Sequence, residues 1–207
     1  MEAPGSKKRQ HRGWVFSIFL LVFAAFLLML VKGNFKASLT ATADNGRSIQ
    51  QAPFPRNINL VEITWPKSGD PARLNHFSNS TDYFRYLVDT GYLKVNPDFF
   101  AARGIKPAKT MEEFGPANNA WCVVADLADE SDETLPFLFS RNLNISSLSN
   151  LNGRLIDHLS NEKPFGKKGV VMVTKGGSAF TVYGRQLEQD IKEFFKSGLA
   201  TNKVLRP

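Results

Sequence analysis

The sequence predicts an α+β protein, with an N-terminal transmembrane helix followed by a small head domain in which an antiparallel β-sheet packs against helices. The helix is predicted by residues 14–31, an unbroken run of 18 residues in which only Ser17 is polar. The sheet is predicted by four short runs after residue 119 that are rich in β-branched and aromatic residues and are separated by turn signals.

The apolar run has the length of a membrane span. At about 1.5 Å per residue, a helix of this run extends about 27 Å, close to the thickness of the bilayer hydrocarbon. Four basic residues precede it and two follow it: Lys7, Lys8, Arg9 and Arg12, then Lys32 and Lys36. This asymmetry predicts a cytoplasmic N-terminus, with a basic leader over residues 1–13, a single-pass anchor over residues 14–31 and the remaining chain outside the cytoplasm.

A cleaved signal peptide and a buried core helix are the competing interpretations of this run. The hydrophobic part of a signal peptide is about 7–15 residues long and ends at a small-x-small site. Here the run is longer and ends with the bulky Leu30 and Val31, and the nearest such site, Ala41-Thr42-Ala43, lies well downstream. The pattern therefore favours a retained anchor in contact with the lipid bilayer.

The net charge of +7 belongs mainly to the membrane flank. Residues 1–36 carry six Lys and Arg against the single Glu2, whereas the remaining chain carries 20 against 18 Asp and Glu. No basic stripe interleaved with aromatic residues occurs, so the composition does not favour nucleic-acid binding. The excess charge is typical of a segment that sets topology and meets anionic headgroups.

Residues 32–73 are interpreted as a linker, because they are polar and contain Pro53, Pro55 and Pro66. A long continuous helix through this stretch is not expected. One short strand is predicted over residues 59–65, where polar and apolar residues alternate. The head is then predicted over residues 74–196, and a flexible tail over residues 197–207.

Local patterns place the elements of the head. A helix is predicted from a cap at Ser80 or Thr81 to Gly91, and a short helix or turn from Pro97 to Gly104. Strands are predicted over residues 120–127 and 135–143, joined as a hairpin by an acidic loop, and over residues 170–174 and 179–183, joined by Gly176 and Gly177. A final helix is predicted over residues 186–196, from apolar residues at helical spacing.

Candidate sites for chemistry are few. A calcium ion is a weak candidate for the acidic loop, whose carboxylates lack the spacing and glycine of an EF-hand: Asp126, Asp129, Glu130, Asp132 and Glu133. A solvated hairpin loop is the simpler interpretation. The glycines at 166, 169, 176 and 177 lack the spacing of a phosphate-binding loop and are assigned to turns.

The single cysteine, Cys122, lies in an apolar stretch and is interpreted as a small core residue, since one cysteine excludes an intramolecular disulfide. The three histidines are scattered, and no nucleophile elbow or metal-ligand motif occurs. The sequence therefore predicts a non-enzymatic protein with no cofactor.

Three stretches of the head carry a family resemblance: residues 78–84, residues 113–124 with the string NNAWCVV, and residues 136–142 with the string PFLFSRN. Together with the hairpin over 169–183 and the anchor, they resemble bacterial type II secretion pseudopilin-like proteins. The resemblance covers roughly residues 75–195 plus the anchor. It implies an extracytoplasmic (periplasmic) pilin-like head, a place in the cytoplasmic (inner) membrane, and partners among other pseudopilin or secretion-machine subunits.

The resemblance also implies a processing site, at a glycine followed by an aromatic residue. Gly13 and Trp14 match it, but Ile18 stands where the family has a glutamate that neutralises a neighbouring amino terminus. A second departure is the proline-containing stretch after the anchor, because a filament helix runs straight into the head. A minor or tip-like assembly subunit is therefore expected. The alternative is a membrane-tethered binding module with a pilin-like head that does not polymerise.

Overall fold

The computed structural model describes residues 6–52, 65–73, 75–194 and 201–207. It divides into two units, Met1–Ser38 and Leu39–Pro207, the second of which we call the head. The first helix, α1, covers Ser6–Gln51 and so contributes to both units. The predicted fold class is confirmed: an apolar N-terminal helix precedes an α+β head with a five-stranded antiparallel sheet.

Among the described residues, the head contains one further α-helix and two sheets. Two short strands, β1 (Lys67–Ser68) and β2 (His76–Phe77), pair in parallel and precede α2 (Ser80–Asp89). The main sheet consists of β3 (Trp121–Val124), β4 (Pro136–Ser140), β5 (Gly169–Thr174), β6 (Ala179–Tyr183) and β7 (Val204–Leu205). Its spatial order is β6-β5-β4-β3-β7, and every neighbouring pair is antiparallel.

The three central strands are buried along their whole length, so both faces of the sheet are covered. Leu138 is paired with both Val123 and Val173, which places these three side chains on one face. Residue Gly46 of α1 lies against Val173 on that face. The ring of Phe137 in β4, where the β4–β5 register shifts, meets Tyr83 of α2 at 6.5 Å between centroids. Burial on both sides explains why these strands read as continuous apolar runs rather than alternating ones.

Both predicted hairpin pairs of the sheet are confirmed. Strands β3 and β4 are adjacent, with Trp121 opposite Ser140, and β5 and β6 pair over five residues of each strand. Of the two glycines at the β5–β6 turn, only Gly177 adopts a positive φ, at 82°. Gly176 is required for space, because a Cβ there would lie 2.9 Å from Cβ of Glu133.

The helix α2 is confirmed with a different cap. Asn79, not Ser80 or Thr81, is the N-cap, and its side chain accepts a hydrogen bond from the N–H of Asp82 at 2.9 Å. Ser80 is buried and donates to the carbonyl of Trp121 at 2.7 Å, so its hydroxyl joins α2 to β3. Gly91 has the expected positive φ of 76°, and Pro97–Phe100 forms the expected short helix, of 3-10 type.

The predicted linker over residues 32–73 was wrong in its first part. The helix α1 continues to Gln51, and the head begins at Leu39 rather than at residue 74. No proline lies between Lys32 and Gln51, and the prolines that argued against a helix follow its last turn. The strand predicted over residues 59–65 lies almost entirely outside the described residues; Trp65 itself is buried and is not in a strand.

The two C-terminal predictions were also wrong. Instead of one helix over 186–196, the described residues form 3-10 turns at Gly184–Glu188 and Ile191–Glu193. Backbone bonds explain the interruption, because Leu155 N–H donates to Gln189 and Ile191 N–H donates to Gly153. The predicted flexible tail contains β7, which is paired with β3, and Arg206 donates from its guanidinium to the carbonyls of Leu143 and Arg141.

Candidate functional site: the apolar helix and its seat on the sheet

The N-terminal part of α1 exposes apolar side chains on all sides. From Phe19 to Val31 its large apolar residues are 46–73% exposed, and the stretch has the length and composition needed to cross a membrane. Side chains that cover a full turn of a helix without being buried are typical of a lipid-facing segment. A membrane anchor and a signal sequence share this property.

The local sequence favours the helix without help from the head. The span from Ser6 to Gln51 contains no proline, and leucine, methionine and alanine have high helix propensity. Phe19 and Phe23, one turn apart, stack with ring centroids 6.3 Å apart and planes 8° apart.

The C-terminal part of α1 is seated in the head by a stripe of buried residues at helical spacing. The stripe comprises Leu39, Thr42, Ala43, Ile49 and Gln50, each at most 6% exposed. Gly46 lies at the centre, and a Cβ there would lie 2.6 Å from Cη2 of Trp121 and 2.8 Å from Cγ2 of Val173. The absent side chain lets the helix backbone approach the sheet closely.

Polar contacts fix the end of α1 at the β5–β6 turn. The carboxamide of Gln50 donates to the carbonyl of Lys175, and the Nε of Arg47 donates to the carbonyl of Gly177 at 3.3 Å. Two residues before Arg47, the carboxamide of Asn45 donates to the carbonyl of Phe99 at 3.1 Å. These bonds fix how closely the C-terminal part of α1 approaches the sheet and which face of the helix is turned toward it.

A buried lysine joins this region to the acidic loop. Lys175 is 6% exposed, and its ammonium donates to the carbonyls of Asp129 and Ser131, the latter at 2.8 Å. The same ammonium lies 5.6 Å from the ring centroid of Trp65, whose indole N–H donates to Asp129 Oδ1 at 3.0 Å. A buried ammonium held by carbonyls and an aromatic face stabilises the loop.

The calcium candidates do not come together. No group of three acidic, histidine or cysteine side chains that could hold a metal occurs within the described residues. Asp126 accepts from the N–H of Ser68 at 3.0 Å and from its hydroxyl at 2.6 Å, and Asp132 accepts from Thr134. The carboxylates of Asp126, Asp129 and Asp132 therefore bond to nearby protein donors, and Glu130 and Glu133 are exposed.

Cys122 is a core residue, as predicted. It is fully buried in β3, and burial raises the pKa of its thiol to about 12. The charged groups that bear on this pKa are Arg206, Glu162 and Arg141, and no histidine is among them. The thiol is therefore protonated at neutral pH and is a poor nucleophile.

The proposed processing residues Gly13 and Trp14, and Ile18 beyond them, lie within α1, in a stretch whose side chains are not described.

The sequence did not lead us to predict that the C-terminal part of α1 packs on the sheet. The signal was present, since the buried residues 39, 42, 43, 46, 49 and 50 recur at intervals of three and four. The prolines that follow the helix obscured it.

Comparisons of the chain with protein-family models, with characterised proteins and with solved structures give no match.

Proposed function

We propose that the chain is a non-enzymatic assembly subunit of a type II secretion pseudopilus-like envelope machine. It is held in the bacterial cytoplasmic membrane by a single helix, with its head outside the cytoplasm. The observation that carries the proposal is the continuity of α1 from Ser6 to Gln51, with exposed apolar side chains over residues 19–31 and buried side chains from Leu39 onward.

The continuous helix removes one of the two departures from the pseudopilin pattern. In that pattern the filament helix runs straight into the head; α1 is likewise uninterrupted as far as Gln51, and its last 13 residues belong to the head unit. The prolines at 53 and 55 follow the helix rather than interrupt it. An apolar helix followed by an α+β head with an antiparallel sheet is the layout that the resemblance implies.

Burial within α1 supports retention of the helix. The nearest small-x-small site after the apolar run, Ala41-Thr42-Ala43, is part of α1, and Thr42 and Ala43 are buried in the head. Cleavage there would remove Leu39, which is 1% exposed, from the core. Large buried aliphatic side chains contribute about 2–5 kcal/mol each, so a head without Leu39 would be weakened.

Ile18 supports a minor or tip position. An amino-terminal charge freed after Gly13 would need an acidic partner among packed apolar helices, and no carboxylate lies between Trp14 and Val31. The subunit would then join partners that carry the glutamate rather than form a filament alone.

Intact mass of the full chain extracted from membranes tests the proposal. Loss of residues 1–13 alone, together with co-purification of other pseudopilin-like subunits, is the expected result. A mass that lacks the whole apolar run would identify a signal sequence and overturn the anchor. A complete chain recovered without such subunits, after mild cross-linking, would favour the tethered binding module instead.

A further inference from the structure

Five exposed lysines gather at one end of the main sheet, and we call them the basic rim: Lys106, Lys109, Lys163, Lys167 and Lys168. They belong to two segments that are distant in sequence. A Cβ on Gly104 would lie 3.1 Å from Cδ of Lys163, which brings the two segments into contact.

Arg141 ties these segments to the sheet. It directly follows β4, and its guanidinium donates to the carbonyl of Pro116 at 2.8 Å and to that of Lys163 at 3.1 Å. The carboxamide of Asn118 donates to the carbonyl of Lys106 at 2.9 Å. The rim therefore lies where β3 begins and β4 ends.

The rim is electropositive. Across the part of the chain that the structure describes, none of its five ammonium groups is paired with a carboxylate. Three carboxylates lie on the same segments. Glu162 is paired with Arg206 at 3.3 Å, Glu113 accepts from the backbone N–H of Lys109, and Glu112 is exposed. Five lysines exceed these three carboxylates, and Arg103 adds a further cation to the first segment.

The opposite end of the sheet is acidic. The loop from β3 to β4 exposes Asp126, Asp129, Glu130, Asp132 and Glu133, and the nearby Lys175 is buried beneath it. At about 3.3 Å per residue, the strands separate the two ends by about 15 Å. The head is thus polarised along its strands.

The helix α1 runs from the basic end to the acidic end. Its last turn is bonded to the β5–β6 turn through Gln50 and Lys175. Asn45 is bonded to Phe99, and the adjacent Phe100 accepts from Ala120 just before β3. Leu39, the first residue of the head, lies six residues before Asn45, about 9 Å further along the helix in the same direction. The chain therefore enters the head at the end that carries the rim.

We propose that the basic rim binds the headgroups of anionic phospholipids on the membrane that holds the anchor. The inference rests on the proposed anchoring. Only residues 32–38 separate the apolar run from Leu39, and seven residues reach at most about 25 Å in any conformation. Clustered lysines beside an anchor are attracted to anionic headgroups, and the acidic end is repelled from them. The rim would orient the head on the bilayer.

Amine labelling of the full chain in vesicles tests the proposal. The protein is reconstituted into vesicles of phosphatidylcholine alone or mixed with phosphatidylglycerol, treated with a membrane-impermeant amine reagent and analysed by mass spectrometry. Lys67 and Lys203 serve as internal standards, because both are exposed and lie near the acidic end. The carbonyl of Lys203 accepts from the N–H of Ala125, and the carbonyl of Pro66, which precedes Lys67, accepts from the N–H of Asp126. Labelling of the rim relative to these standards should fall about threefold or more with phosphatidylglycerol, and recover at about 0.5 M NaCl.

A charge-reversal variant separates the rim from the anchor. In the triple variant Lys163→Glu, Lys167→Glu, Lys168→Glu, the remaining Lys106 and Lys109 should lose their protection by phosphatidylglycerol. The control variant is Lys67→Glu, the same kind of change away from the rim; its rim labelling, referred to the remaining standard Lys203, should stay protected. Both variants should still float with vesicles.

Each other outcome counts against the proposal in a distinct way. Equal rim labelling in both vesicle types, with normal flotation, would overturn the rim and leave the anchor standing. A wild-type chain that floats with neither vesicle type would overturn the anchor, and the rim with it. Protection found only in native membranes, and not in purified lipid, would assign the rim to an acidic protein partner and overturn the lipid assignment.

Discussion

Gly46 and Trp121 are in direct contact: a Cβ placed on Gly46 would lie 2.6 Å from Cη2 of the indole. The contact joins the C-terminal part of α1 to the first residue of β3. It places the helix backbone against the largest fully buried side chain of the head. The position of the helix on the sheet therefore depends on the smallest residue in that turn.

The first prediction is that Gly46→Leu destabilises the head. The new side chain has to displace Trp121 and Val173, and overpacking of this kind costs about 1–3 kcal/mol or more. Chemical unfolding of the full chain in detergent, followed by tryptophan fluorescence, measures the loss. Gly33→Leu is the matched control, because nothing lies within 4 Å of a Cβ there. Equal stability of the two variants would contradict the close approach.

The second prediction concerns the two buried aromatic residues of adjacent strands, Trp121 and Phe139. Both are 0% exposed, and Trp121→Ala or Phe139→Ala should cost about 3–5 kcal/mol, a large share of the stability of one domain. Phe180→Ala on the outer strand β6 is the control, since Phe180 is 39% exposed and should cost much less. Thermal unfolding of the full chain measures all three. An unchanged Tm for Trp121→Ala would place the indole outside the core.

The third prediction is that Lys175→Met loosens the acidic loop. The substitution removes the donor to the carbonyls of Asp129 and Ser131, and an unmet buried polar group costs about 1–3 kcal/mol. Hydrogen exchange of residues 128–134 should accelerate, with a matching fall in unfolding free energy. Lys94→Met, at an exposed lysine, should change neither measurement. Unchanged exchange in the Lys175 variant would show that the ammonium does not hold the loop.

The fourth prediction concerns the thiol of Cys122. Because burial raises its pKa to about 12, the native thiol should resist a thiol reagent at pH 8 and react fully in denaturant. A raised folded-state pKa stabilises the fold below the unfolded pKa of about 8.5, and this contribution is lost as pH rises above that value. Unfolding of Cys122→Ala should therefore depend less on pH between about 8.5 and 10 than unfolding of the wild type. Rapid labelling of the folded protein would contradict the buried position.

Most of the local structure was determined by the sequence itself. The apolar run, the four strands β3 to β6 and the β5–β6 turn follow from patterns within a few residues, which explains why they were predicted with their partners. The burial of Leu187 and Ile191 also followed from their spacing, although their backbone did not form the predicted helix. Apolar spacing indicates which side chains face the core, and it constrains the backbone less.

Long-range contacts decided the rest. The stripe of α1 from Leu39 to Gln50 acquires its role only because the sheet is present beneath it, and the strand at Val204–Leu205 forms only because β3 offers an unpaired edge. The basic rim joins lysines about 60 residues apart in sequence through Arg141, and no local pattern links them. The sequence by itself determined the apolar N-terminal helix, most elements of the head and many of its core residues, because those depend on local periodicity. Only the tertiary structure decided where α1 lies, how the tail pairs and which charges share a surface, since these depend on contacts between distant segments.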